Sequence, residues 1–169
     1  DVLETGKDFI LDNNQLLVQL YSTLGEAYHN LKDYKNSDAN FDNSLELEPD
    51  NILVLNNYSY YLSLRGEKLE QAKTMSKKTI EQEPNSAIYL DTYAWILFMN
   101  EEYEDAKKYM EVALNNGGNA QGVLVEHYGD ILFHLNDIEG AMKHWEMAQK
   151  MGDASDKIDE KIKKKIYIP

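Results

Sequence analysis

The sequence predicts an all-α fold: a right-handed α-α superhelix, or solenoid, of helical hairpins with a C-terminal capping helix. Three observations predict it. Small residues recur at one interval, with Gly25, Ser59, Ala94 and Gly129 spaced 34, 35 and 35 residues apart. Around each of them apolar residues recur at helical spacing, as at Tyr21, Leu24 and Tyr28. Proline or glycine then breaks the pattern, at Pro49, Pro84, Gly117-Gly118 and Gly152. Each hairpin carries apolar residues on more than one face and cannot bury them alone. Stacking on neighbours buries them, so stability is a matter of nearest neighbours.

Residues 1–12 read as the second helix of an incomplete preceding repeat, and the chain as a piece of a longer one. Asp12, Asn13 and Asn14 break that helix and can cap the next, because their short side chains accept from free backbone N–H groups. Repeat 1 (18–51) places one helix over about Gln15–Leu31 and a second over about Tyr34–Glu48. Gly25 and Ser37 are small where the two helices approach, and Phe41 fills the space between them. Pro49 ends the second helix, having no N–H to donate and disfavouring helix in the residue before it.

Repeat 2 (52–86) carries Leu55, Tyr58, Ser59 and Leu62, with Gly66 as a left-handed cap. Its turn is one residue longer. Ala72 is the small residue of its second helix, but Ser76 stands at the bulky position, leaving Met75 or Ile80 to fill the space. Repeat 3 (87–121) carries Leu90, Tyr93, Ala94 and Leu97, then Tyr103, Ala106, Met110 and Ala113. Repeat 4 (122–152) carries Val125, Tyr128, Gly129 and Leu132, then Ile138, Ala141, Trp145 and Ala148. In the terminal segment 153–169, Ile158, Ile162 and Ile166 form a single apolar stripe, as expected of a helix covering the last repeat. Lys163–Lys165 fall near its C-terminus, where cations complement the helix dipole.

The chain has 169 residues, no cysteine and a net charge of −13. Disulfides and thiolate metal sites are thereby excluded. With the five lysines and two acids of 157–165 set aside, 12 basic groups face 28 acidic ones, a balance of −16. Such a body repels nucleic-acid phosphates and anionic lipid. No run of apolar residues is long enough for membrane insertion. A basic or apolar protein segment is the partner the charge favours.

The pattern Tyr21-x2-Leu24-Gly25-x2-Tyr28, with Ser37-x3-Phe41 and Pro49, repeated at this period, resembles the tetratricopeptide repeat. The resemblance covers Val18–Gln149. Segments such as Tyr89-Leu90-Asp91-Thr92-Tyr93-Ala94-Trp95 look like those of bacterial members, some of them envelope-associated, which leaves cytoplasm and cell envelope both open. It implies that the first helix of each repeat lines a concave groove in which a peptide or helix of a partner is held.

Carried over by position, the resemblance assigns Glu26, Asn56, Tyr60, Asp91, Trp95, Phe98, Glu126 and Asp130 to that groove. Aromatic side chains supply contact area and carboxylates accept from Lys or Arg. Glu126 and Asp130 are like charges four residues apart on one helix face, an arrangement that calls for a cation nearby. Two readings of Trp95 and Phe98 stand. They contact a partner, or they pack against the next repeat or the terminal helix folded back. The carboxylate clamp of some family members would fall on Ser22, Glu26, Asn57, Ile88 and Thr92, of which only Asn57 matches, so a partner's terminal carboxylate is disfavoured.

Enzymatic readings find little support. His127, Asp130 and His134 lie roughly on one side of a helix, but they span about 10 Å, too far for one ion without another element. No glycine loop with a lysine cradles a phosphate, and no nucleophile stands beside a base. No cofactor or metal is expected. The sequence thus reads as a protein-interaction scaffold. The alternative is an assembly segment of a larger repeat protein that associates with its own copies.

Overall fold

The computed structural model describes residues 14–169, so the helix expected over 1–12 lies outside the described residues. Nine α-helices follow one another among the described residues: α1 Asn14–Asn30, α2 Tyr34–Leu47, α3 Ile52–Arg65, α4 Leu69–Gln82, α5 Ala87–Met99, α6 Tyr103–Asn115, α7 Gly122–His134, α8 Ile138–Met151 and α9 Ile158–Lys164. Contacts divide the chain into two compact units, residues 1–78 and 79–169.

One turn geometry joins the paired helices. The turn residue takes a left-handed conformation at Lys32, Gly66, Glu101 and Asn136, with φ of 61°, 63°, 62° and 64°. The next backbone N–H then reaches five residues back: Asp33 to Tyr28 O, Glu67 to Leu62 O, Glu102 to Leu97 O and Asp137 to Leu132 O, at 2.9–3.1 Å. These bonds satisfy helix-end carbonyls that would otherwise be unpaired. Asp33 and Asp137 go on to cap α2 and α8, accepting from the N–H of Asn36 and Gly140. The extra residue of the second turn is Lys68, itself at φ 48°.

In unit 1, α1 and α2 form a hairpin whose centre is Gly25. A Cβ there would stand 2.8 Å from the Phe41 ring, so only glycine lets the helices approach this closely. The buried Ser37 hydroxyl donates to Gly25 O at 2.8 Å, and Ser44 donates to Val18 O at 2.9 Å. Small residues here both admit the close approach and tie the two backbones together. Phe41, fully buried, stacks on Tyr58 of α3 with centroids 5.0 Å apart. Ser76, at the bulky position of the second repeat, is fully buried, with Met75 buried beside it and Ile80 half-buried.

Unit 2 repeats the device with larger parts. A Cβ on Gly129 of α7 would lie 2.6 Å from the Trp145 ring of α8. The corresponding residues of the α5–α6 hairpin, Ala94 and Met110, are both fully buried. Every residue of α5 from Tyr89 to Phe98 is buried, so this helix has no solvent face of any length. Gly118, where the second of two glycines breaks the chain after α6, leaves no room for a side chain against Ala113 O and Leu124.

The terminal helix is shorter than the isoleucine stripe predicts. It covers only Ile158–Lys164, because Lys165 turns left-handed at φ 56°. Ile158 is buried against α8 and Ile162 is half-buried, but Ile166 lies beyond the helix and is 45% exposed. The buried residue of the stripe that the isoleucines do not announce is Lys161.

Candidate functional site

Unit 1 presents an open cleft of about 540 Å³ on the face of α1 and α3. Its lining is largely polar: Gln19, Ser22, Glu26, Glu48, Asn51 and Asn57 surround Leu53, which is 62% exposed. Helix geometry sets this row, since Gln19, Ser22 and Glu26 follow one another at intervals of three and four along α1. Glu26 is held rather than loose: Tyr61 OH donates to its Oε1 at 2.8 Å. Burial, and then that carboxylate, push the Tyr61 hydroxyl well above the usual phenol range. Tyr60 is half-buried beside Tyr61. Asn56 points inward instead, 8% exposed, and its buried Oδ1 has no hydrogen-bond partner among the described residues.

Unit 2 is arranged differently. Asp91 of α5 and Glu126 and Asp130 of α7 converge on one buried site. Lys161 of α9 enters it with a side chain only 4% exposed. Its ammonium lies 2.8 Å from Glu126 Oε1 and 2.7 Å from both oxygens of Asp130. Ser155 adds two more donors to Glu126, its hydroxyl at 2.6 Å and its backbone N–H at 2.7 Å. Trp145 donates its indole N–H to Asp130 at 2.9 Å, linking the site to the hairpin core. His127 Nδ1 donates to Asp91 Oδ1 at 2.8 Å, and its ring stacks on Trp95 with centroids 4.1 Å apart.

The charges of this site are unequal. Three carboxylates face one ammonium and one imidazole. Burial opposes ionisation of Glu126, but the bonds from Lys161 and Ser155 outweigh it and hold the carboxyl below its usual range. Asp130 shifts the other way: its deeper burial pushes it up even with Lys161 alongside. One ammonium shared between two acids leaves the second short of compensation. His127 is raised; burial disfavours its charged form, but Asp91 outweighs burial, with Asp130 and Glu126 adding to it.

The aromatic residues of unit 2 are packed. Phe98 stacks on Trp95 at 4.8 Å and meets Tyr167 edge-on at 5.6 Å. Tyr167 also meets His134 at 4.7 Å. Of the contacts open to Trp95 and Phe98, Trp95 packs on His127 of the next repeat and Phe98 on Tyr167 of the folded-back terminal segment. The cation that Glu126 and Asp130 call for is Lys161. Its signal in the sequence was its place three residues after Ile158, on the apolar side of the terminal helix. His127 and His134 do not converge on an ion: His134 Nδ1 donates to the Asp130 carbonyl at 2.9 Å, and no metal-holding cluster of three acids or imidazoles occurs among the described residues.

The tetratricopeptide repeat family model matches residues 18–51, the first repeat. Solved structures align with nearly all of the chain. PilW, a type IV pilus biogenesis factor, superposes with a TM-score of 0.81 at 15% identity, over 96% of this chain and 74% of its own. Residues 18–51 match as a tetratricopeptide repeat, and the chain as a whole has the fold of these structures. MamA from Desulfovibrio magneticus is similar at a TM-score of 0.74 and 18% identity, over 91% of this chain and 85% of its own. PilF of Pseudomonas aeruginosa is similar at 0.70 and 17%, over 83% of this chain and 64% of its own. At these identities the likeness shows the fold. No curated protein sequence matches the chain. Tetratricopeptide-repeat proteins in general mediate interactions between proteins.

Proposed function

We propose that the protein is a non-enzymatic interaction scaffold whose unit 1 cleft holds an extended segment of a partner protein. The observation that carries this reading is the cleft itself. Amide, hydroxyl and carboxylate groups stand around the exposed Leu53, with about 540 Å³ open between them. Asn and Gln side chains can both donate to and accept from a peptide backbone, and Leu53 offers an apolar contact. Glu26 and Glu48 favour a segment carrying Lys or Arg, in keeping with the net charge of −13. The carboxylate of Glu26 repels a partner's free C-terminus.

A defined peptide library displayed against the full chain tests this. Captured peptides should carry a basic residue and an apolar one. Glu26→Lys with Leu53→Asp should weaken the best of them by about a hundredfold or more, given about 1.4 kcal/mol per tenfold step. Unchanged affinity in that variant, with unchanged circular dichroism, would remove the cleft from consideration.

A further inference from the structure

We infer that the buried site of unit 2 is a second recognition site, specific for a segment that presents a lysine and, about six residues on, a tyrosine. Residues 155–169 are then its internal ligand, which a competing segment of the same chemistry displaces. The inference rests on the reading of the first-helix faces as binding surfaces and goes on to specify the ligand.

The contacts are those of a ligand rather than of a hydrophobic cap. What the segment places deepest is a charge, Lys161, between Glu126 and Asp130, and Ser155 adds two hydrogen bonds to Glu126. Tyr167 then lies against Phe98 and His134. By contrast α9 buries one apolar side chain, Ile158, with Ile162 half-buried beside it, while Asp159, Glu160 and Lys163–Ile166 are exposed. Its helix has seven residues, too few to be stable by itself in water.

The internal fit is also incomplete. Beside the segment a cleft of about 280 Å³ is lined by Trp95, His127, Lys161, Tyr167 and Pro169 among others. The indole N–H of Trp95, which is 9% exposed, is buried with no acceptor among the described residues. Such a donor carries a desolvation cost that a bound acceptor removes. A competitor that brings a carbonyl or carboxylate to Trp95 gains a bond the internal segment does not make. With three carboxylates facing Lys161 and His127, the site also has room for added positive charge.

The probe is a fluorescent peptide of residues 155–169, added to the full chain and followed by anisotropy. Wild type, with its own segment in place, should bind it weakly. Ile158→Asp with Lys161→Ala loosens the internal segment and leaves the carboxylates intact, so it should bind the peptide at least about tenfold more tightly. On that variant a peptide carrying Lys161→Met should lose about tenfold or more. Equal affinity of both proteins, absence of binding to the folded variant, or equal binding of the lysine-free peptide would each overturn the inference. If circular dichroism shows the variant unfolded, hydrogen exchange of the wild type decides. Faster exchange in 158–164 than in α7 would show a segment that opens by itself. Equal protection would make it a fixed part of the fold and overturn the inference. No unit 1 residue is altered, so failure here is separable from failure of the unit 1 cleft.

Discussion

The same hairpin device produces an open face in one unit and a filled one in the other. In unit 1 the row Gln19, Ser22, Glu26 borders an open cleft, and Glu26 is exposed with one phenol donating to it. In unit 2 Glu126 and Asp130 are 3% and 1% exposed and share the ammonium of Lys161. Position along a repeat fixes which side chains face inward, while the segment that follows fixes whether they meet water. Exposed acids steer and select partners. Buried ones must be matched by a specific cation, because an unpaired charge in a dry site costs several kcal/mol.

The comparison is broken most severely at Lys161. Lys161→Met strands two buried carboxylates and should cost about 3–5 kcal/mol in urea denaturation. In unit 1 Lys78, 47% exposed and 2.9 Å from Asp50, is the control. Lys78→Met should change stability by no more than about 0.5 kcal/mol. A smaller effect comes from crowding the two hairpins. Gly129→Ala and Gly25→Ala each press a methyl group into an aromatic ring and should cost about 1–3 kcal/mol, read as a fall in denaturation midpoint. Gly129 should be the worse, since Ala141 O also stands 3.2 Å from the new methyl.

The pH dependence sharpens the comparison further. The folded pKa of His127 is raised above 6.5, so its stabilising share is complete below 6.5 and is lost as pH rises through the folded value. His29 in unit 1 shifts oppositely, lowered by burial and then by Arg65. Its share is complete above 6.5 and is lost as pH falls through its folded value. The two oppose each other in the whole protein. The stability difference between wild type and His127→Gln should therefore narrow as pH rises above 6.5, and a difference that stays constant would contradict the pairing with Asp91. A modest effect is expected at Tyr61→Phe. It removes the bond to the exposed Glu26 and should cost about 1 kcal/mol or less in the same denaturation assay.

Much of the fold was legible because the repeat has a strict physical grammar. Gly25 opposite Phe41 and Gly129 opposite Trp145 sit at equivalent places, and each glycine is required by the ring it faces. The turns were legible from their neighbours, although Lys32 and Glu101 at positive φ are not residues that announce such a conformation. The site was legible in part. The i,i+4 acids Glu126 and Asp130 called for a cation but could not say where in the sequence it lay. Lys161 entered only as one of the five lysines counted in 157–165, because a distant partner leaves no mark in the local spacing. The length of the terminal helix was overread for a related reason: Ile166 continues the spacing, but the backbone turns at Lys165 before it. Asn56 and Tyr60, assigned to the groove by position, differ in exposure for reasons of packing that position alone does not carry.

Lys161 is the specific partner of the α7 acids. A double-mutant cycle on Lys161→Met and Asp130→Asn, measured by urea denaturation of the full chain, tests it most directly. A coupling of about 1–3 kcal/mol between the two positions is the result expected of charges in contact. Additivity, with each substitution costing the same whether or not the other is present, would contradict the account.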